Sequence, residues 1–379
     1  MTDFTSDGCD LDEFRRIVET ESELSDYPHS AGSAEGAIVY DAGSFEGLCD
    51  SEVRPLKQEL ARALRDGPGI VVLKGAFAGP ALDAASAVFD ELIARQRDEG
   101  MAGGDHFAAP GANDRIWNSL EKLALADPDV FVDYHDNVAV DLVALAWLGP
   151  AYQVTAQVNV VNPGGAAQSA HRDYHLGFLS NAQSEQYPRH VHLLSPALTL
   201  QGAVAHCDMP VETGPTMYLP HSQKYEAGYL AWRRDDFREY FDTHRSQSPL
   251  AKGDLVFFNP ALFHGAGANE TTDIRRMANL LQISSALGRA MELIDRRAMT
   301  EAVYPALLRA RQAGRSEAGL LRAVAACAEG YPFPADLDRD QPVGGMAPAS
   351  MASIVATALD ESLGSAELSA RFDARFGSR

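Results

Sequence analysis

The sequence predicts an α+β chain with a mainly β core, a sandwich or barrel carried on helices. Two patterns carry that expectation. Apolar residues recur at helical spacing through residues 52–148 and again after 288, whereas the stretch between changes to a two-residue repeat and short apolar runs. Leu56, Leu60 and Leu64 mark the first helix, which Asp66-Gly-Pro-Gly ends because glycine and proline do not continue it. Ile70-Val-Val-Leu reads as a short buried strand. A second helix fits Leu82, Val88, Phe89, Leu92 and Ile93. A third fits Phe131, Tyr134, Val138, Leu142 and Leu145 and stops at Leu148-Gly-Pro, with residues 101–114 as a loop between them. Over 152–161, Tyr152, Val154, Ala156, Val158 and Val160 alternate with Gln153, Thr155, Gln157 and Asn159, the period of a strand with one polar face. Further strands are expected at about 190–209, 215–219, 254–259 and 276–284, with turns at Pro163-Gly-Gly, Glu212-Thr-Gly-Pro and Ala251-Lys-Gly-Asp. From 288 the pattern is helical again, over 291–313, 317–328 and 351–371.

With 379 residues, 46% of them hydrophobic, the chain can bury one large core or two modest ones. No run of about 18 apolar residues appears, so no spanning helix is expected. The start, Met1-Thr-Asp-Phe-Thr-Ser-Asp, is acidic where a secretory signal would be basic and then apolar, which points to a cytoplasmic protein. Cys9, Cys49, Cys207 and Cys327 lie far apart and form no C-x-x-C pair, so neither a disulfide framework nor a zinc cluster is indicated. The formal charge of −21 argues against nucleic acid as a partner, since it repels phosphate backbones. Residues 1–50 hold 13 acidic and two basic side chains. Three regions are therefore expected: an acidic arm over 1–50, a central domain over 51–287 and a helical extension over 288–379. The arm carries a short amphipathic stretch (Leu11, Phe14, Ile17, Val18) and two similar hexapeptides, Ala31-Gly-Ser-Ala-Glu-Gly and Ala42-Gly-Ser-Phe-Glu-Gly. With so little to bury it reads as a solvated segment.

Three histidine pairs have metal-like spacing: His171-Arg-Asp173, His206-Cys-Asp208 and His190-Val-His192. On a strand, residues i and i+2 share a face, so a His and an Asp in this pattern can reach one metal. His264 is the candidate third ligand, at the end of Gly253-Asp-Leu-Val-Phe-Phe-Asn-Pro-Ala-Leu-Phe-His. Two histidines and one carboxylate would leave three positions of an octahedral metal open. Taken alone, any one of these pairs is more often a set of hydrogen-bonded core or surface histidines.

Four stretches narrow the choice: Asp66-Gly-Pro-Gly-Ile-Val-Val-Leu-Lys-Gly-Ala-Phe; Asn162-Pro-Gly-Gly through His171-Arg-Asp173; Glu212-Thr-Gly-Pro-Thr-Met-Tyr-Leu-Pro-His-Ser; and Gly253-Asp through His264-Gly-Ala-Gly-Ala-Asn269 to Arg275. Through them, residues 52–285 resemble the phytanoyl-CoA dioxygenase family of Fe(II)/2-oxoglutarate oxygenases. The resemblance implies a double-stranded β-helix, or jelly-roll, core with flanking helices. It maps the metal ligands onto His171, Asp173 and His264. It puts the arginine that holds the distal carboxylate of 2-oxoglutarate eleven positions after the distal histidine, at Arg275, with Arg276 as competitor. A guanidinium suits that role because it pairs with a carboxylate through two parallel hydrogen bonds. His206 and Asp208 then fall on a central strand, as structural or supporting residues. One departure stands out: the family's Gly-Ser-His after the Gly-Pro turn appears here as Pro220-His-Ser222.

On this reading Gln157, Asn159 and Gln168 are candidate co-substrate contacts, and His175 could point into the same pocket. The implied reaction is oxidative decarboxylation of 2-oxoglutarate to succinate and CO2, coupled to hydroxylation or another oxidation of a small organic molecule. Its requirements would be Fe(II), 2-oxoglutarate and O2, with ascorbate as an optional reductant. Asp173 stands where halogenases of the wider superfamily carry a small residue, so halogenation is not expected. The alternative is a non-catalytic jelly-roll metabolite sensor, which would be expected to lack a ligand or the arginine. No G-x-S-x-G elbow or H-E-x-x-H helix supports a hydrolase. The expected partner is a soluble small molecule, with neither nucleic acid nor membrane, and the C-terminal helices are the candidate surface for a homodimer.

Overall fold

The computed structural model describes residues 3–100, 112–341, 344 and 346–377. Eleven strands are found among them: β1 (Gly32–Ala34), β2 (Ala37–Asp41), β3 (Ile70–Lys74), β4 (Asn113–Ile116), β5 (Gln153–Val161), β6 (Thr199–Ala205), β7 (Thr216–Leu219), β8 (Ser246–Gln247), β9 (Leu255–Phe258), β10 (Phe263–Ala266) and β11 (Arg276–Ser284). They form an eight-stranded sheet in the order β1-β2-β3-β9-β6-β11-β5-β4 and a three-stranded sheet in the order β10-β7-β8. All neighbours are antiparallel except β2 and β3. This is a jelly-roll core flanked by helices.

Strand alternation sorts each strand of the large sheet into two faces. Val154, Ala156, Val158 and Val160 of β5, and Met277, Leu281 and Ile283 of β11, join one apolar cluster with the helices. Gln157 and Asn159, and Arg276, Ala278, Leu280 and Gln282, face the interior between the sheets. The polar face of β5 is thus turned inward and buried. Ile70, Val72, Ala203, Ala205, Tyr218, Val256 and Leu262 form an apolar cluster that adjoins a cavity, with Ala203 contributing to both.

The outer layer draws on both ends of the chain. Leu142 and Val143 of the helix Val138–Leu148 share their cluster with Val303 and Leu307 of Arg296–Gln312 and with Val324 and Cys327 of Glu317–Cys327. The C-terminal helices therefore bury their apolar faces largely against one another and the helices of the central region, with Glu317–Cys327 also reaching β5. No helix among the described residues is long and apolar enough to cross a membrane.

Four local expectations need correction. The helix expected over 351–371 is two helices, Met351–Asp360 and Ser365–Phe376. The helix expected through 131–145 is two helices, Pro128–His135 and Val138–Leu148, because the Asn137 side chain caps the second by accepting from the Val140 N–H at 2.9 Å. The strand expected from 190 begins only at Thr199, after a helix over Arg189–Leu194 and a 3-10 turn over Ser195–Leu198. Pro188 and Pro196 each lack the N–H that a strand ladder needs.

Nor is the acidic arm solvated. Its helix Leu11–Val18 buries Phe14 against Tyr225, Phe237, Tyr240 and Phe263, over the outer face of the small sheet. The first hexapeptide forms β1 and a two-residue hairpin turn in which Glu35 and Gly36 have φ of 51° and 77°. The second forms the 3-10 turn Ala42–Phe45, so the near-repeat in sequence is not a repeat in structure. A little apolar surface sufficed here because partners elsewhere in the chain were waiting for it.

Candidate metal centre and active site

His264 stands on β10, paired with Tyr218 of β7. His171 is no part of a regular strand. It meets His264 through one isolated bridge, with N–H to carbonyl distances of 2.9 and 3.1 Å. Asp173 is fixed two residues on by its N–H to Pro260 O at 3.1 Å. These bonds bring the potential ligand atoms of His171, Asp173 and His264 within 4.8 Å of one another. His171 Nε2 lies 3.8 Å from Asp173 Oδ1, and His264 Nε2 lies 3.4 Å from Asp173 Oδ2.

The surroundings suit a cation. Each histidine places Nδ1 against a backbone carbonyl, His171 on Ser169 O at 2.9 Å and His264 on Leu262 O at 2.8 Å. A carbonyl only accepts, so both Nδ1 atoms carry a proton, and in the neutral ring Nε2 keeps the lone pair that a metal would take. Gln201 of β6 donates through Nε2 to Asp173 Oδ2 at 2.6 Å. Burial alone would raise the Asp173 pKa, but the positive charge that His171 and His264 carry when protonated, a hydrogen bond with His264 and the Gln201 amide together hold it well below the usual carboxylate range. Burial also lowers the His171 pKa, against the pull of Asp173. A carboxylate and two imidazoles on one wall of a cavity are the donor set of a 2-His-1-carboxylate centre, and these residues fit one.

The cavity holds about 290 Å³. Gln157, Asn159, Gln168, Gln201 and Arg276 line it with the triad, while Arg115, Trp117, Phe178 and Met291 also contribute. Trp117, Phe178 and Met291 are exposed and make part of the wall apolar. Arg115 donates to Gln157 Oε1 at 2.5 Å, and its guanidinium lies 4.5 Å from the Trp117 ring centroid. Gln168 ties its loop to β10 by accepting from the Ala266 N–H at 3.1 Å. Asn159 Oδ1 is buried and has no hydrogen-bond partner among the described residues.

The expectation for Arg275 does not fit this geometry. Its side chain is 46% exposed and lies 3.6 Å from Asp90 and 3.9 Å from Asp114, away from the cavity lining. Arg276 lines the cavity, is 6% exposed, and donates through Nη1 to Thr213 O at 3.0 Å and Gly267 O at 3.2 Å. The physical reason is alternation: on β11 the even-numbered residues face inward, and an eleven-residue count ends one position short of them. Among the described residues no carboxylate pairs with Arg276, and burial lowers its pKa to about 10.

Other expectations fall away from the site. His175 caps a 3-10 turn, with Nε2 3.5 Å from Thr199 Oγ1, and is absent from the cavity lining. His206 is held between Ser86 Oγ at 2.8 Å and Tyr134 Oη at 3.0 Å, and Asp208 accepts from the Lys252 N–H, so this pair is structural. His192 bonds to Ser184 O. Of the loop expected over 101–114, residues 101–111 lie outside the described ones. Gln201, Arg115, Trp117, Phe178 and Met291 were not anticipated. Gln201 had a visible signal: a lone amide, in step with Thr199, within the apolar run of β6.

Residues 66–277 match the family profile of phytanoyl-CoA dioxygenase (PhyH). The dioxygenase trt7 of Aspergillus terreus is 23% identical over 211 residues, 55% of this chain and 67% of that protein. Among solved structures, AviO1 from Streptomyces viridochromogenes is 21% identical, covering 61% of this chain and 96% of its own, with a TM-score of 0.44. The non-heme alpha ketoglutarate dependent carbocyclase SnoK from nogalamycin biosynthesis is 20% identical over 64% of this chain and 86% of its own, with a TM-score of 0.43. Because the matched stretch spans more than half of the chain and contains His171, Asp173, His264 and Arg276, the chain belongs to the phytanoyl-CoA dioxygenase family.

Proposed function

We propose that this chain is an Fe(II)- and 2-oxoglutarate-dependent oxygenase that hydroxylates or otherwise oxidises a small organic molecule, releasing succinate and CO2. The observation that carries the reading is a shared cavity: His171, Asp173 and His264 converge on one wall, and the buried guanidinium of Arg276, which lacks a carboxylate partner among the described residues, faces the same space. A dicarboxylate that reaches both satisfies the cation at one end and the metal at the other. Bound iron would supply the activation of O2.

The protein's own groups have separable tasks. His171 and His264 offer imidazole Nε2 atoms held in orientation by Ser169 O and Leu262 O. Asp173 offers a carboxylate held by Gln201. Arg276 supplies the fork for the distal carboxylate of 2-oxoglutarate. The substrate is a molecule with an apolar body, received by Trp117, Phe178 and Met291, and a polar group met by Arg115 and Gln157. A carboxylate at position 173 occupies the place that a halide would need, so the product is oxygenated and not chlorinated.

The test is anaerobic addition of Fe(II) and 2-oxoglutarate, which should give a weak visible charge-transfer band that His171→Ala, Asp173→Ala and His264→Ala each abolish. Screening small molecules for substrate-dependent succinate release then identifies the substrate. A parent protein that binds neither ligand would refute the assignment.

A further inference from the structure

Between two of the triad residues sits a cation that the chemistry above does not use. Arg172 separates His171 from Asp173, and its side chain runs away from the cavity into the protein, where the residue is 2% exposed. Its Nη2 donates to Ser222 O at 2.5 Å and to Tyr225 O at 2.9 Å. Its guanidinium carbon lies 5.2 Å from the Tyr229 ring centroid and 5.1 Å from that of Phe263. No carboxylate lies within ion-pair distance of it among the described residues. Gly228 makes room for the group, since a Cβ there would sit 2.0 Å from Arg172 Cζ.

A buried cation costs desolvation energy that a leucine or methionine of similar reach would not, so filling space is a poor account of the arginine. What the guanidinium adds is direction: two carbonyls fix where its Nη2 lies, and two ring faces fix its height. That matters because the segment has no strand ladder to hold it. Among the described residues, the backbone bonds seen from residues 171–173 to the barrel strands include the His171–His264 bridge and the Asp173 N–H to Pro260 O. Phe263, on which the guanidinium rests, immediately precedes His264. One side chain therefore touches the support of all three triad residues.

We propose that Arg172 is a positioning residue for metal binding, its clamped guanidinium setting the spacing of His171, Asp173 and His264. The inference rests on reading the triad as a metal centre. It is tested with Co(II) alone, without 2-oxoglutarate, by calorimetric titration and by the visible absorption of the bound ion. The variants are Arg172→Met, Arg172→Lys and Gly228→Ala, which keeps the charge but displaces the group.

Arg172→Met and Gly228→Ala should weaken Co(II) binding by about tenfold or more and alter the absorption band, as loss of a ligand's support does. Arg172→Lys, which keeps one donor, should fall between Arg172→Met and the parent. Parent-like affinity and spectrum in Arg172→Met and Gly228→Ala overturn the proposal, even if their melting temperatures drop, because Arg172 would then serve packing alone. If Arg172→Met is recovered only unfolded, Gly228→Ala decides by the same two outcomes. A parent protein that does not bind Co(II) overturns the metal centre itself, and this proposal with it.

Discussion

Arg275 and Arg276 leave adjacent positions at the start of β11 in opposite directions, the first toward Asp90 on the surface and the second into the cavity of the triad. If Arg276 binds the distal carboxylate of 2-oxoglutarate, lysine at that position keeps the charge and loses the fork. Arg276→Lys should raise the 2-oxoglutarate concentration needed for half-maximal turnover by about tenfold to a hundredfold, the scale of one charged hydrogen bond, with metal affinity unchanged. Arg275→Lys should leave that requirement within about twofold, since exposed ion pairs contribute little. The reverse pattern in steady-state succinate assays would return the role to Arg275.

Gln201 tests whether the carboxylate needs its support. Replacing it by leucine removes the donor 2.6 Å from Asp173 Oδ2 while keeping similar volume. Metal affinity should fall by about 10- to 100-fold, the usual effect of losing a group that orients a ligand. Titration with Mn(II), followed by the loss of the free-ion magnetic resonance signal, reads this directly. Unchanged affinity would mean that His171, His264 and the backbone fix Asp173 without help.

These residues mark the boundary of what the sequence can disclose. His171, Asp173 and His264 were legible because each sits in a local motif, and the helices were legible from apolar spacing. Arg276 was not, because choosing between neighbouring arginines requires knowing where a strand begins, and a one-residue slip reverses every side chain. Gln201 reaches Asp173 only through the packing of β6 against a loop 28 residues away in sequence. Arg115 stands opposite Asn159 in the β4–β5 register, and that pairing has no local signature. The burial of the arm is hidden for a related reason: one phenylalanine looks like too little to bury when its partners lie more than 200 residues further on.

Acid should destabilise the fold through buried histidines away from the triad. Burial pushes the pKa of His206 down to about 3, and burial together with Lys224 pushes that of His221 down to about 4. The unfolded chain takes up these protons near the ordinary value of about 6.5, so below it the unfolded state binds more protons than the native state. Stability is therefore full above that value and is lost as pH falls toward the folded values. Between pH 7.5 and pH 5 one such histidine should cost about 2 kcal/mol. Urea unfolding at the two pH values measures it, and His206→Gln, which cannot titrate, should lessen the difference. An equal difference in the variant would show that His206 does not remain neutral in the fold.

The N-terminal segment should behave as part of the folded core. Phe14 is fully buried, with ring centroids 5.0 Å from Phe263, 5.1 Å from Phe237 and 5.4 Å from Tyr225. Asp10 caps its helix by accepting from the N–H groups of Asp12 and Glu13, and the Asp10 N–H in turn donates to Tyr225 Oη at 2.7 Å. Truncating a buried phenylalanine typically costs about 3–5 kcal/mol, the transfer energy plus that of the cavity left behind. Phe14→Ala should therefore lower unfolding stability by about that amount and open residues 3–20 to proteases. Because the Phe263 ring bridges Phe14 and the strand of His264, the variant should also weaken metal binding, by less than loss of a triad residue does. Parent-like unfolding and proteolysis would mean that the segment is solvated, as its charge alone suggests.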